Sequence, residues 1–113
     1  MKLRDVVKEL QLSVRCGGNR LDQEITGGYA GDLLSDVIAN SQAGNIWVTM
    51  QMHVNIVAVA VLKDLAGIII VQGRSPAEDT LKRATEENVP ILVSEQQAFD
   101  TIGTLYALQS AGR

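Results

Sequence analysis

Candidates for ligand binding are polar or small residues that follow three short apolar runs in the second half of the chain. Such apolar runs are typical of strands buried on both faces of a parallel sheet. The carboxyl ends of parallel strands meet at one edge, so residues far apart in sequence converge there. Helix N-termini at that edge offer free N–H groups and a partial positive charge, which favour an anion. The candidate ligand-binding residues are Thr49, Gln51, His53, Asn55, Gly73 and Ser94.

Paired glycines at Gly27 and Gly28 form the other unusual stretch. Glycine permits positive φ and a close approach of backbone to ligand, so we expect this pair to close the rim of the same cleft. The structural alternative is a turn or a β-bulge. For His53, Asn55 and Ser94 the alternative is a capping role at a helix N-terminus.

Two carboxylates, Asp32 and Asp36, stand four residues apart and with His53 form the one candidate set for acid–base catalysis. On a short helix, such carboxylates more often form a solvated face. The sequence contains no G-x-x-x-x-G-K-[ST] loop, no G-x-G-x-x-G after a strand and no G-x-S-x-G elbow. We therefore predict no catalytic residues, no cofactor and no turnover of ATP.

Histidine and cysteine are too few for a metal site. The chain has one of each, whereas zinc sites need three or four ligands. Cys16 cannot form an internal disulfide, which fits a reducing compartment. The start of the chain is charged, unlike a signal peptide. The longest apolar runs, 56–62 and 65–71, are too short to span a bilayer. We expect a cytoplasmic protein without a membrane segment.

Apolar runs at 46–49, 68–71 and 91–93 predict three strands. Helical patterns cover 54–65 and the segment from Ser75, a predicted N-cap, to Glu87. A last helix is expected after Ser94, which we predict to be its cap. Its predicted inner face consists of Phe99, Ile102, Leu105 and Tyr106.

Residues 46–109 thus alternate as β-α-β-α-β-α, which predicts an α/β fold with a mainly parallel sheet and right-handed crossovers. The preceding part predicts a short helix at 2–10 and strands at 12–14 and 24–26. A further helical stripe at 33–38 has Asp32 available as its N-cap. We expect the helices and the sheet to form a three-layer-like arrangement. Residues 1–113 should form a single domain.

Charge argues against nucleic acid as a partner. The net charge is -3, and Lys and Arg form no cluster, so a footprint for a phosphate backbone is missing. Aromatic residues make up 4% of the chain, and the core must therefore be built from Val, Ile, Leu and Ala.

Several segments of the chain resemble the DRTGG domain family. They are 46–56, 65–73 and 89–93, and 24–29 matches the N-terminal part of the family. The whole chain looks like a stand-alone member. The family is similar to the regulatory region of some phosphate acetyltransferases and to the N-terminal domain of HPr kinase/phosphorylase, and it occurs beside CBS domain pairs. The resemblance implies a non-catalytic α/β module that often dimerises.

The motif that names this family is altered here. Met52-His53 stands where the Asp-Arg pair would be. Either Val71-Gln72-Gly73 or, one residue later, Gln72-Gly73-Arg74 stands where Thr-Gly-Gly would be. In both registers, Gly73 is the residue that matches the motif.

Three functions follow as hypotheses. The leading one is a regulatory domain that senses a small anionic metabolite or nucleotide at the strand ends, as a homodimer that communicates with a partner in metabolism or signalling. The first alternative is a protein-interaction adaptor without a small ligand, which an exposed apolar patch would favour. The second is a small enzyme that uses Asp32, Asp36 and His53, which their convergence would favour.

Overall fold

The computed structural model describes residues 1–111 of the chain. Five strands form one sheet in the spatial order β1-β5-β4-β3-β2. The strands are β1 (Ser13–Cys16), β2 (Gly27–Ala30), β3 (Asn45–Thr49), β4 (Gly67–Ile70) and β5 (Ile91–Val93). The helices are α1 (Leu3–Glu9), α2 (Leu34–Asn40), α3 (Asn55–Lys63), α4 (Glu78–Glu87) and α5 (Ala98–Ala111), with a short 3-10 helix at Gly18–Arg20.

Strands β2 to β5 run parallel in chain order. Trp47 of β3 lies beside Ile68 of β4, and Ile69 lies beside Leu92 of β5. The predicted parallel arrangement of the three apolar runs is therefore confirmed. Every residue of β3, β4 and β5 is buried, which explains why these strands are continuous apolar runs. Strand β1 runs antiparallel to β5.

Helices cover both faces of the sheet, which gives an α/β/α sandwich. Helices α2, α3 and α4 pack on one face around Trp47, Ile68 and Ile70. Helices α1 and α5 pack on the other face around Val48 and Ile69. Alternate residues of one strand thus supply two separate cores, as the pleat of a strand requires.

The strand predicted at 24–26 is wrong, because this segment pairs with the start of the chain. The Ile25 N–H donates to the Met1 carbonyl at 2.9 Å, and Glu24 forms an isolated bridge with Lys2. The sheet strand begins instead at Gly27, so the glycine pair opens β2.

Three predicted caps are also wrong. Helix α2 begins after Leu33, α4 begins after Ala77, and α5 begins at Ala98. The side chains of the predicted caps make other hydrogen bonds, described below. The predicted caps were Asp32, Ser75 and Ser94.

Helix α5 packs through a different stripe from the one that its large side chains suggest. Thr101 and Leu105 are buried, whereas Phe99 is 84% exposed and Tyr106 is 70% exposed. The predicted inner face is therefore right for Leu105, and wrong for Phe99 and Tyr106. Ile102 is half-buried at the margin. The helix thus packs through Thr101 and Leu105, and its aromatic side chains lie outside.

Candidate functional site

The loops that follow β2, β3, β4 and β5 lie at one edge of the sheet, together with the start of the antiparallel strand β1. Ser13, the first residue of β1, pairs with Val93, the last residue of β5. We call this side the carboxyl edge. Thr49, Gly73 and Ser94 all lie there, as the parallel order of the strands requires.

At the end of β3, a hydrogen-bonded network joins Thr49, Gln51 and Asp32. The Thr49 hydroxyl donates to Asp32 Oδ1 at 2.8 Å, and the Met50 N–H donates to the same oxygen at 2.7 Å. Gln51 Nε2 donates to the Asp32 carbonyl at 3.0 Å. The Asp32 carboxylate therefore fastens the β2–α2 loop to β3 instead of capping α2.

The candidate acid–base set is not joined by any hydrogen bond. In residues 1–111, Asp32 bonds Thr49 and Met50, whereas the side chains of Asp36 and His53 form no hydrogen bond and are exposed. The enzyme hypothesis required these three groups to converge, and the structure supplies no contact that joins them.

At the ends of β4 and β5, backbone hydrogen bonds close the junction between the two loops. The Gln72 N–H donates to the Gln96 carbonyl and the Gly73 N–H donates to the Ser94 carbonyl, both at 2.8 Å. The Ser94 hydroxyl is buried and lies 2.9 Å from Thr101 Oγ1. Gly73 and Ser94 are thus parts of a closed junction, and Ser94 holds α5 rather than lining an open cleft.

Two consecutive residues of this junction have left-handed backbone. Gln72 has φ 63° and Gly73 has φ 64°. Two left-handed residues in succession suit a glycine pair, since other residues are strained there. The structure therefore favours the register in which Val71-Gln72-Gly73 stands at Thr-Gly-Gly, with Gln72 in place of the first glycine.

His53 and Asn55 lie at the start of α3. Both are exposed, and Asn55 faces an open groove of about 420 Å³ between α3 and α4 with Asp79 and Lys82. The loop before them is fixed, because the Met52 carbonyl accepts a hydrogen bond from the Ala77 N–H and one from Thr80 Oγ1. Asn55 thus belongs to a different surface from Gly73 and Ser94.

Gly27 and Gly28 lie at the opposite end of the sheet. They pair with Asn45 and Ile46, the first residues of β3, whereas the candidate site follows Thr49 at the far end of that strand. We therefore remove the glycine pair from the candidate site. The pair was expected at the rim because glycine permits a close approach of backbone to ligand, but it forms the beginning of β2.

Two arginines, Arg15 of β1 and Arg74 after β4, lie near Ser75 at the carboxyl edge. Arg15 Nε donates to Ser13 Oγ at 3.0 Å and Arg15 Nη1 donates to Ser75 Oγ at 3.3 Å. Arg74 precedes Ser75, and its Nε donates to Gln72 Oε1 at 3.4 Å. We call Arg15, Arg74, Ser13 and Ser75 the arginine corner.

Neither guanidinium of the arginine corner lies within 4.0 Å of a carboxylate of residues 1–111. The Glu95 carboxylate lies against Gly73, the residue before Arg74. The sequence gives no sign of Arg15 at this edge, because the antiparallel pairing that brings β1 to β5 leaves no local signal. Guanidinium groups with only neutral partners can bind a phosphate or carboxylate in bidentate geometry.

Cys16 lies on β1 and is half-buried. Its Sγ donates to the Val89 carbonyl at 3.2 Å. Burial raises the pKa of the Cys16 thiol above its usual range, because a low-polarity environment disfavours the thiolate. The thiol therefore stays protonated at neutral pH and lacks the character of a nucleophile.

Within the part of the chain that the structure describes, no three His, Cys, Asp or Glu side chains are grouped so that they could hold a metal ion. None of the helices in residues 1–111 has both the length and the apolar composition that crossing a membrane requires.

A family model described as the DRTGG domain matches residues 5–108. The chain belongs to the DRTGG domain family. The resemblance seen in the sequence is thereby confirmed over almost the full length. Among proteins with curated descriptions, none matches this chain.

A solved structure with a similar fold contains the CBS and DRTGG domains of the regulatory region of Clostridium perfringens pyrophosphatase, complexed with the activator diadenosine tetraphosphate. The TM-score is 0.70 at 11% sequence identity, and the match covers 92% of this chain. This DRTGG chain spans 45% of that chain. The likeness confirms the α/β fold.

Proposed function

We propose that this DRTGG domain is a non-catalytic regulatory module that senses a small anionic metabolite or nucleotide at its carboxyl edge. The observation that carries the proposal is the arginine corner, where Arg15 bonds Ser75, the residue after Arg74, and the hydrogen-bond partners of both guanidiniums are neutral. We place this function in the cytoplasm, since Cys16 has no second cysteine in the chain and suits a reducing compartment.

A ligand of nucleotide length would extend from the arginine corner across the carboxyl edge. Neighbouring strands lie about 4.8 Å apart, so a phosphate at Arg15 and Arg74 leaves a base or sugar within reach of Gln51 and His53 beyond β4. The regulatory region of the Clostridium perfringens pyrophosphatase was solved with a polyphosphate nucleotide. That complex supports nucleotides as the first class of ligand to test.

Thermal stability and calorimetry would test the anion site. Pyrophosphate, ATP and diadenosine tetraphosphate are the probes, and adenosine is the uncharged control. A ligand present at about 100 times its Kd adds about 2.7 kcal/mol to the free energy of unfolding. We expect Arg15→Gln and Arg74→Gln to abolish this gain, and Lys63→Gln, at the end of α3 away from the carboxyl edge, to leave it unchanged. Equal gains in all variants, or a gain with adenosine alone, would contradict the proposal.

We also propose that the domain acts as a homodimer through α3 and α4. An exposed apolar stripe runs along the surface of α3. Helix α4 beside it carries an acidic pair, a basic pair and a second acidic pair. When two copies pack antiparallel about a two-fold axis, each basic pair of α4 faces an acidic pair of the other copy. Sedimentation velocity at micromolar concentration is the first test. The stripe consists of Val54, Ala58, Val61 and Leu62.

A further inference from the structure

The outermost strand β2 and the neighbouring side of α5 enclose an apolar groove that the arginine corner does not use. Two depressions share Ala30, Val48 and Ile102, and therefore form one continuous groove. The part nearer the carboxyl edge has a volume of about 320 Å³ and includes Asp32 and Met50. We call this feature the β2–α5 groove.

Large apolar side chains stand exposed along this groove and beside it. Phe99, Ile102 and Tyr106 are spaced i, i+3 and i+7, so they share one side of α5. Phe99 is 84% exposed and Tyr106 is 70% exposed, although α5 packs on the sheet through Thr101 and Leu105. The aromatic side is thus not required for the packing of the domain, and exposed aromatic clusters mark interaction surfaces.

The edge of β2 is open to a further strand. Strand β2 pairs on one side with β3, where the Gly31 N–H donates to the Val48 carbonyl at 3.1 Å. In a parallel ladder, the backbone N–H and C=O groups of successive residues point alternately to the two sides of the strand. Gly28 and Ala30 therefore direct these groups away from β3. Both residues are exposed, and the strand has neither Lys nor Pro to block an added strand.

The charged residues on this side of the domain are all acidic. Strand β2, helices α2 and α5 and the loop 31–33 contain no Lys or Arg. Their charged residues are Asp32, Asp36 and Asp100, of which Asp32 lines the groove. A second copy of the chain would place these acids against their own counterparts, so the charge favours a basic partner.

We infer that the β2–α5 groove binds an extended segment of a partner protein, which adds to β2 as a strand and carries Lys or Arg beside apolar or aromatic side chains. Main-chain hydrogen bonds to Gly28 and Ala30 supply the pairing, as in other cases of strand addition. Phe99 and Tyr106 contact the apolar side chains of the segment. The inference depends neither on the anion site nor on the dimer.

The test uses the full chain and a synthetic peptide of about ten residues in which Lys alternates with Val and Phe, a length suited to strand addition. Its matched control replaces each Lys by Glu. NMR chemical-shift mapping and calorimetry would report the site and the Kd. We expect the Lys peptide to shift the amides of β2 and α5 and the Glu peptide to bind at least about tenfold more weakly.

Two variants address the mechanism. Ala30→Pro removes an outward N–H and keeps the pairing with β3, because proline is tolerated where an edge strand faces solvent. Tyr106→Ala removes an aromatic contact, and Val14→Ala on the opposite edge strand is its control. We expect the first two to weaken the Lys peptide about tenfold or more and Val14→Ala to have no effect, while pyrophosphate binding stays unchanged in all three.

Four results would overturn the inference. They are no binding of the Lys peptide, equal binding of the Glu peptide, shifts confined to other elements, and undiminished binding by both Ala30→Pro and Tyr106→Ala. If the unmodified chain bound the peptide but not pyrophosphate, the anion site would be overturned instead.

Discussion

At the scale of single residues, Gly17 is a point where the fold requires glycine. Its φ is +75°, and a Cβ at this position would lie 2.5 Å from Pro90 Cα. We expect Gly17→Ala to lower the free energy of unfolding by about 3 kcal/mol, from left-handed strain and overpacking together. Gly103 in α5 has no neighbour within 4 Å, so Gly103→Ala should raise the same quantity by up to about 1 kcal/mol.

Urea denaturation followed by circular dichroism measures both changes. A loss below about 1 kcal/mol for Gly17→Ala would mean that the backbone of Pro90 can move away. The same reasoning separates Gly73 from Gly17, because the group nearest to a Cβ at Gly73 is the end of the Glu95 side chain. A flexible carboxylate can rotate away, whereas the backbone of Pro90 is held next to β5.

Among the elements, the strands β3, β4 and β5 could be predicted because burial on both faces leaves a continuous apolar run. Strand β2 could not, since Gly27 and Gly28 at an open edge carry no apolar signal. The position of β1 beside β5 depends on long-range pairing, so the meeting of Arg15 with Ser75 had no sequence signature. Thr49 and Gln51 were predicted at the carboxyl edge, but their network with Asp32 was not.

The attachment of α5 to β5 yields a prediction for this pair of elements. Ser94 and Thr101 are buried, and their hydroxyl oxygens lie 2.9 Å apart. Ser94→Ala should cost about 1–3 kcal/mol, because it leaves a buried hydroxyl without its partner, and Thr101→Val should cost about 1 kcal/mol. In the double variant the cost should fall short of the sum by at least about 0.5 kcal/mol. Additive costs in urea denaturation would contradict a direct bond.

Across the whole molecule, the basic residues are unevenly distributed along the sequence, so the surfaces of the domain differ in charge. Lys and Arg are absent from 21–62 and from 84–112. The arginine corner draws its two guanidiniums from the remaining segments, while the β2–α5 groove is built from the segments without bases. One small sheet thereby presents a positive corner and, at its opposite edge strand, an acidic and aromatic side. The α3–α4 face alternates both signs, since α4 carries acidic and basic pairs in turn.

Because acidic and basic pairs alternate along α4, the proposed homodimer can be tested by mixing two variants with reversed charges. With the two-fold axis between the pairs, Lys82 and Arg83 of one copy face Glu86 and Glu87 of the other. We expect the variant Lys82→Glu/Arg83→Glu and the variant Glu86→Lys/Glu87→Lys each to sediment as monomers, because like charges then meet across the interface. Mixed together, they should form a dimer, since every facing pair regains opposite signs. Phe99→Ala, on the far side of the sheet, is the control and should leave the unmodified pairing intact. Dimers of either charge variant alone, or monomers in the mixture, would show that α4 does not lie at the interface.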